Sequence, residues 1–151
     1  MPHGPTRFYT LNPAVLPLYL IGFLCEGLFN AISMDIIFLL SPGFKDPLSD
    51  TVNKQYYCPD CAFLEGVLSY YPWLREKLDL RYIDYAKPRA ALVALVGDQH
   101  QGCPNLVLDP ENVRYVEPEQ FFRFADRVYT NDTRLIVKYL RDRYGIGEAH
   151  Y

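Results

Sequence analysis

Tyr57-Cys58-Pro59-Asp60-Cys61-Ala62-Phe63-Leu64-Glu65-Gly66-Val67-Leu68 sets two thiols three residues apart, directly ahead of an apolar stripe. Phe63, Leu64, Val67, Leu68 and Tyr71 recur at helical spacing and predict one helix that starts at the cysteines. Pro59 stands where a first-turn proline stands, because its missing N–H is one that a helix start leaves unpaired anyway. Pro72 predicts the end of the helix. Cys58 then falls at or just before the N-cap, and Cys61 lies one turn in.

Working outward, Asp35-Ile36-Ile37-Phe38-Leu39-Leu40 is a short apolar run stopped by Ser41-Pro42-Gly43, as expected of a strand buried on both faces. Residues 41–57 read as a long irregular stretch, and such stretches inside a small domain are often functional. On the other side, Leu80 to Tyr85 is strand-like in its branched and aromatic content. Pro88 predicts a second helix from Arg89 to Val96, apolar nearly all round and so expected to pack deeply, with Gly97 at its C-terminal end. Asn105-Leu106-Val107-Leu108 predicts a third strand, announced by Gly102-Cys103-Pro104. Residues 110–130 give no clear pattern beyond a strand ending near Val128-Tyr129. Asn131, Asp132 and Thr133 offer N-caps for a last helix whose buried stripe is Leu135, Ile136, Tyr139 and Leu140, and Gly145 closes it. The order β-α-β-α-β-β-α predicts an α/β fold with a central mixed sheet of about four strands flanked by helices.

The chain has 151 residues, half of them apolar, which suits one domain with a core of its own and excludes a disordered or low-complexity chain. A net charge of −3 supplies no positive field for a phosphate backbone, so nucleic acid is not an expected partner. Four cysteines are too few for a disulfide-built scaffold.

Residues 1–33 read as an N-terminal extension to a domain spanning 34–151. Ala14 to Cys25 is apolar, and Glu26 interrupts it. A spanning helix needs about twenty apolar residues, and Pro13, Pro17, Glu26 and Asn30 all argue against one over residues 11–32. Membrane contact is expected only if that segment is an anchor. Ala31-Ile32-Ser33 gives a small-x-small pattern of the kind that ends an export signal, but the positive n-region is thin. Met34, directly before the first strand, reads equally as the true start. The expected location is the cytoplasm, with export or membrane anchoring as the alternatives that a working 1–33 segment implies.

Chemistry is expected at the cysteine pair. Thiol–disulfide exchange needs a sulfur nucleophile and a second thiol to release the mixed disulfide. Cys58 at a helix start lies where the dipole favours negative sulfur, although the Asp60 carboxylate acts the other way. Cys61 is placed to resolve. Tyr57 and its neighbour Tyr56 are positioned to shield the pair, Pro59 to stiffen the turn, and Arg89 beside Pro88 to hold a carboxylate of a thiol ligand. Two other readings stay open. The pair is also what a structural motif on a non-enzymatic binding module looks like. Cys58, Cys61, His100 and Cys103 together form a set that a structural zinc ion accepts.

Several stretches carry a family resemblance: Phe38-Leu39-Leu40-Ser41-Pro42-Gly43-Phe44-Lys45-Asp46-Pro47, the Tyr57 to Gly66 segment, Pro88-Arg89, and Gln101-Gly102-Cys103-Pro104-Asn105-Leu106-Val107-Leu108. Residues 34–151 resemble the thioredoxin and glutaredoxin superfamily, and more closely an uncharacterised bacterial family with a thioredoxin-like fold. The resemblance implies that Pro104 is a cis-proline facing the cysteine pair. It also implies that the Cys103 backbone holds an extended thiol-bearing protein segment or a small thiol, with no resident cofactor and with glutathione as a co-substrate. Asn131 and Asp132 stand near the place of the Gly-Gly pair that often precedes the last helix in glutaredoxins. They are the residues this chain offers to a substrate there.

Overall fold

The first strand, β1 (Asp35–Leu40), is buried along almost its whole length, and its side chains alternate between two cores. Ile37 and Leu39 enter one cluster, and Phe38 enters the other. That two-sided burial is why the run is apolar without alternation. The computed structural model describes residues 34–49 and 53–150. The expectations attached to residues 1–33, including the anchor over 11–32, the signal and Cys25, lie outside the described residues. Residues 34–151 make one compact unit.

Helix α1 (Pro59–Tyr70) follows the loop after β1 and buries Cys61, Leu64 and Leu68 on one stripe. A 3₁₀ turn at Pro72–Glu76 takes the chain into β2 (Leu78–Ile83), which pairs parallel to β1, Asp35 opposite Leu78 and Leu40 opposite Ile83. Helix α2 (Ala90–Val96) then leads to β3 (Asn105–Val107), antiparallel on the other side of β1. Two 3₁₀ turns, Pro110–Tyr115 and Pro118–Gln120, precede a hairpin of β4 (Phe122–Phe124) and β5 (Arg127–Thr130). Helix α3 (Thr133–Tyr144) closes the fold, capped by the Asp132 carboxylate and ended by Gly145 in the left-handed conformation at φ 74°. The sheet order is β2-β1-β3-β5-β4.

Helices α1 and α3 pack on one face of this sheet through Leu64, Leu68, Ile136 and Leu140, and α2 packs on the other through Leu92 and Val96. The mixed α/β sheet flanked by helices is therefore present, with five strands against about four expected. The additional strand is β4, an exposed three-residue edge whose pattern carries no burial signal. The second strand begins two residues earlier than expected, so Asp84 and Tyr85 fall outside it. The expected deep packing of the second helix is also corrected. Ala90, Ala91 and Ala94 face solvent, because the helix covers the sheet with one side only.

Asp35 is fully buried at the start of β1. Its Oδ1 accepts from the Asp109 backbone N–H at 2.8 Å and from Asn112 Nδ2 at 3.0 Å. Its Oδ2 accepts from the hydroxyls of Tyr139 and Tyr144. Burial, and the carboxylate beside them, hold both tyrosines above the ordinary phenol range. This network ties β1, the 110–115 turn and α3 together at the end of the sheet opposite the cysteines. Among the described residues no helix is long and apolar enough to cross a membrane.

Candidate functional site

The cysteine pair sits where β1 ends and α1 begins. Cys58 is the N-cap of α1, in extended conformation, and its Sγ accepts the Cys61 backbone N–H at 3.3 Å. A cysteine thus takes the capping role usually held by Ser, Asp or Asn, and a sulfur lone pair satisfies an N–H that the helix leaves open. Pro59 occupies the first turn, as its fixed φ suits. Cys61, one turn on, points into the core at 3% exposure, and its Sγ accepts the Leu40 N–H at 3.4 Å. Burial pushes the Cys61 thiol well above the ordinary thiol range, and the Leu40 N–H pulls it back only in part. The two sulfurs differ in access, with Cys58 half-buried and Cys61 sealed, and both are free thiols.

A second segment meets the first. The Cys58 thiol donates to the Cys103 carbonyl at 3.5 Å, across 45 residues of chain. The Cys103–Pro104 peptide bond is cis, as is Lys87–Pro88. Gly102, just ahead of Cys103, lies close against Asn131: an added Cβ would stand 2.5 Å from Asn131 Nδ2. Cys103 is a free, half-buried thiol, and burial pushes it up to about 11 while the Arg89 guanidinium pulls the other way.

Arg89 is buried just ahead of α2 and ties two segments together. Its Nη1 donates to the Gln101 carbonyl, its Nη2 donates to the Tyr85 carbonyl at 2.7 Å, and its backbone N–H donates to Gln101 Oε1 at 2.8 Å. The Tyr85 ring stacks on Phe44, centroids 4.4 Å apart, which fixes the start of the 41–57 loop. That loop returns on itself: Gly43 and Phe44 N–H groups donate to the Tyr56 carbonyl, and Tyr56 N–H donates back to Phe44. The loop is long because it is an excursion from β1 that comes back to deliver Tyr57 and Cys58. Tyr57 is exposed at 64% and stands in solvent rather than shielding the pair.

Of the expected site residues, Cys58, Cys61, Pro59, Cys103 and Pro104 come together, with Arg89 behind Cys103 and Asn131 against Gly102. Asp132 has a structural task, since its Oδ1 accepts from the Arg134 and Leu135 N–H groups at the start of α3. The four-residue zinc set is not assembled. The His100 ring lies against Phe122, centroids 4.2 Å apart, and against Tyr129. Among the described residues no group of three or more His, Cys, Asp or Glu is arranged to hold a metal. Sequence reasoning missed Leu40 and Gln101. The first contributes a main-chain group with no residue signature, and the second braces Arg89 through a fold contact that spacing does not reveal.

A family model described as a protein of unknown function (DUF3088) matches residues 34–148, which include every residue of this site. The chain belongs to that family. No curated protein and no solved structure gives a match.

Proposed function

We propose that this member of the DUF3088 family is a thiol–disulfide oxidoreductase-like protein of thioredoxin-like fold, in which Cys58 attacks and Cys61 resolves. The observation that carries the reading is the Cys58 sulfur. It caps a helix start, takes a helix N–H, and lies against the carbonyl that precedes Pro104. The parallel β1-α1-β2 unit with the thiols at its helix start supports the same reading. So does the antiparallel strand β3 led by Pro104.

The proposed reaction starts with the Cys58 thiolate attacking a sulfur of a substrate disulfide. A Cys58–substrate bond forms, the substrate S–S bond breaks, and the leaving sulfur departs with the electron pair and takes up a proton. Cys61 then loses its proton and attacks Cys58 Sγ. The Cys58–Cys61 disulfide forms and the second substrate thiol is released, so the substrate is reduced and the protein oxidised by two electrons. A small thiol such as glutathione, or a thiol-bearing protein, returns the pair to the reduced state.

The test treats full-length protein with glutathione disulfide. The Cys61→Ser/Cys103→Ser protein is expected to retain glutathione on Cys58, and the Cys58→Ser protein to take up none at the site. Equal uptake by Cys58→Ser, or none by either protein, contradicts the reading. A groove that only binds keeps its partner unchanged in both.

The resolving step carries a pH signature. Because burial holds Cys61 above the ordinary range, its thiolate fraction keeps rising with pH through the neutral region. In a Cys103→Ser protein, release of glutathione from Cys58 should accelerate by about tenfold per pH unit between about pH 6.5 and 8.5, without a plateau. Stopped-flow kinetics measure this, and a plateau below about pH 8 would mean that Cys61 titrates below the ordinary thiol value of about 8.5, against the effect of its burial.

A further inference from the structure

The exchange reading uses two of the three thiols gathered at this site, and Cys103 is the third. Its carbonyl is already the partner of the Cys58 thiol at 3.5 Å, so the Cys58 sulfur lies within one residue's reach of the Cys103 side chain. Both residues pack against the same core cluster. A separate observation points to the sulfur of Cys103. Arg89 is 8% exposed, and its Nε is buried with no hydrogen-bond partner, while its two Nη nitrogens are committed to the Gln101 and Tyr85 carbonyls. A buried guanidinium donor left open is unfavourable until an anion takes it. The same guanidinium acts on the Cys103 sulfur against the effect of burial. Negative charge on that sulfur is what the open donor suits, and a resolving thiol carries that charge at the moment of attack.

We propose that Cys103 is a third redox-active thiol of the site, closing a Cys58–Cys103 disulfide when Cys58 carries a substrate. The proposal rests on Cys58 being the attacking thiol. In the step, Cys103 gives up its proton and attacks Cys58 Sγ. The Cys58–Cys103 bond forms and the Cys58–substrate bond breaks, and the substrate sulfur leaves with the electron pair and takes the proton. Cys61 then gives up its proton and attacks Cys58 Sγ in turn; the Cys58–Cys61 bond forms, the Cys58–Cys103 bond breaks, and the Cys103 sulfur leaves with the electron pair and takes the proton. The substrate disulfide supplies the oxidising equivalents throughout. Cys103 acts first because it is half-buried, whereas Cys61 is sealed beneath the helix start.

The test uses full-length protein carrying Cys25→Ser, so that only the three site thiols report, with limiting glutathione disulfide as the probe. With Cys61→Ser added, mass-spectrometric mapping should find the Cys58–Cys103 disulfide. Glutathione should then leave Cys58 at least about tenfold faster than from the protein that also carries Cys103→Ser. Cys61→Ala replaces Cys61→Ser if the buried hydroxyl unfolds the chain. Equal lifetimes with and without Cys103, and no Cys58–Cys103 bond, overturn this inference and leave the exchange reading standing. Absence of any Cys58 adduct in the protein lacking both Cys61 and Cys103 overturns the exchange reading, and this inference with it.

Discussion

Asp35→Ala is expected to destabilise the folded protein by about 3–5 kcal/mol. The carboxylate is fully buried and accepts from four donors, two at the 110–115 turn and two on α3. Truncation strands the Asp109 N–H, the Asn112 amide and two tyrosine hydroxyls around an empty space. Each unsatisfied buried donor costs about 1–3 kcal/mol, less whatever rotation or an entering water recovers, Tyr144 being the least enclosed of the four. Since domains of this size are stable by only about 5–15 kcal/mol, the variant should lie at the edge of folding. Asp35→Asn keeps the volume and one acceptor oxygen, and should cost about half as much. Urea titration of the three proteins measures the order. A midpoint for Asp35→Ala equal to that of the parent would mean that the network does not hold the start of β1. The site itself lies at the other end of this strand, where Leu40 meets Cys61.

The sequence expectations held where one residue pattern had one structural solution. The two-sided burial of β1, the helix opening at Pro59 and the Asp132 cap each follow from local spacing and backbone chemistry. What local pattern does not encode went astray. Edge strand β4 is exposed and three residues long, so it has neither periodicity nor burial to announce it. Helix α2 is apolar on faces that its neighbours never cover, and composition alone overstates its packing. At the site, the closeness of two cysteines in sequence was visible, but their inequality was not. Cys58 stays accessible and Cys61 is sealed because the second points toward β1, a relation that depends on how the helix lies on the sheet. His100 shows the reverse error. Its spacing from Cys103 suits a metal, yet the fold turns its ring onto Phe122 and Tyr129.

The inequality of the two sulfurs is the feature on which the account depends. An attacking thiol must meet its substrate, and a resolving thiol must wait until the mixed disulfide has formed. At 3% exposure, and held above the ordinary thiol range by burial, Cys61 has neither the access nor the thiolate fraction to react first. Cys103, pushed up to about 11, should fall between them. Alkylation of the native, fully reduced, metal-free protein with iodoacetamide, read residue by residue by mass spectrometry, measures this order directly. The account predicts that Cys58 is modified first and that Cys61 reacts at least about a hundredfold more slowly, as its burial requires. Cys61 labelled as fast as Cys58, or Cys58 inert while the protein remains folded, would contradict it.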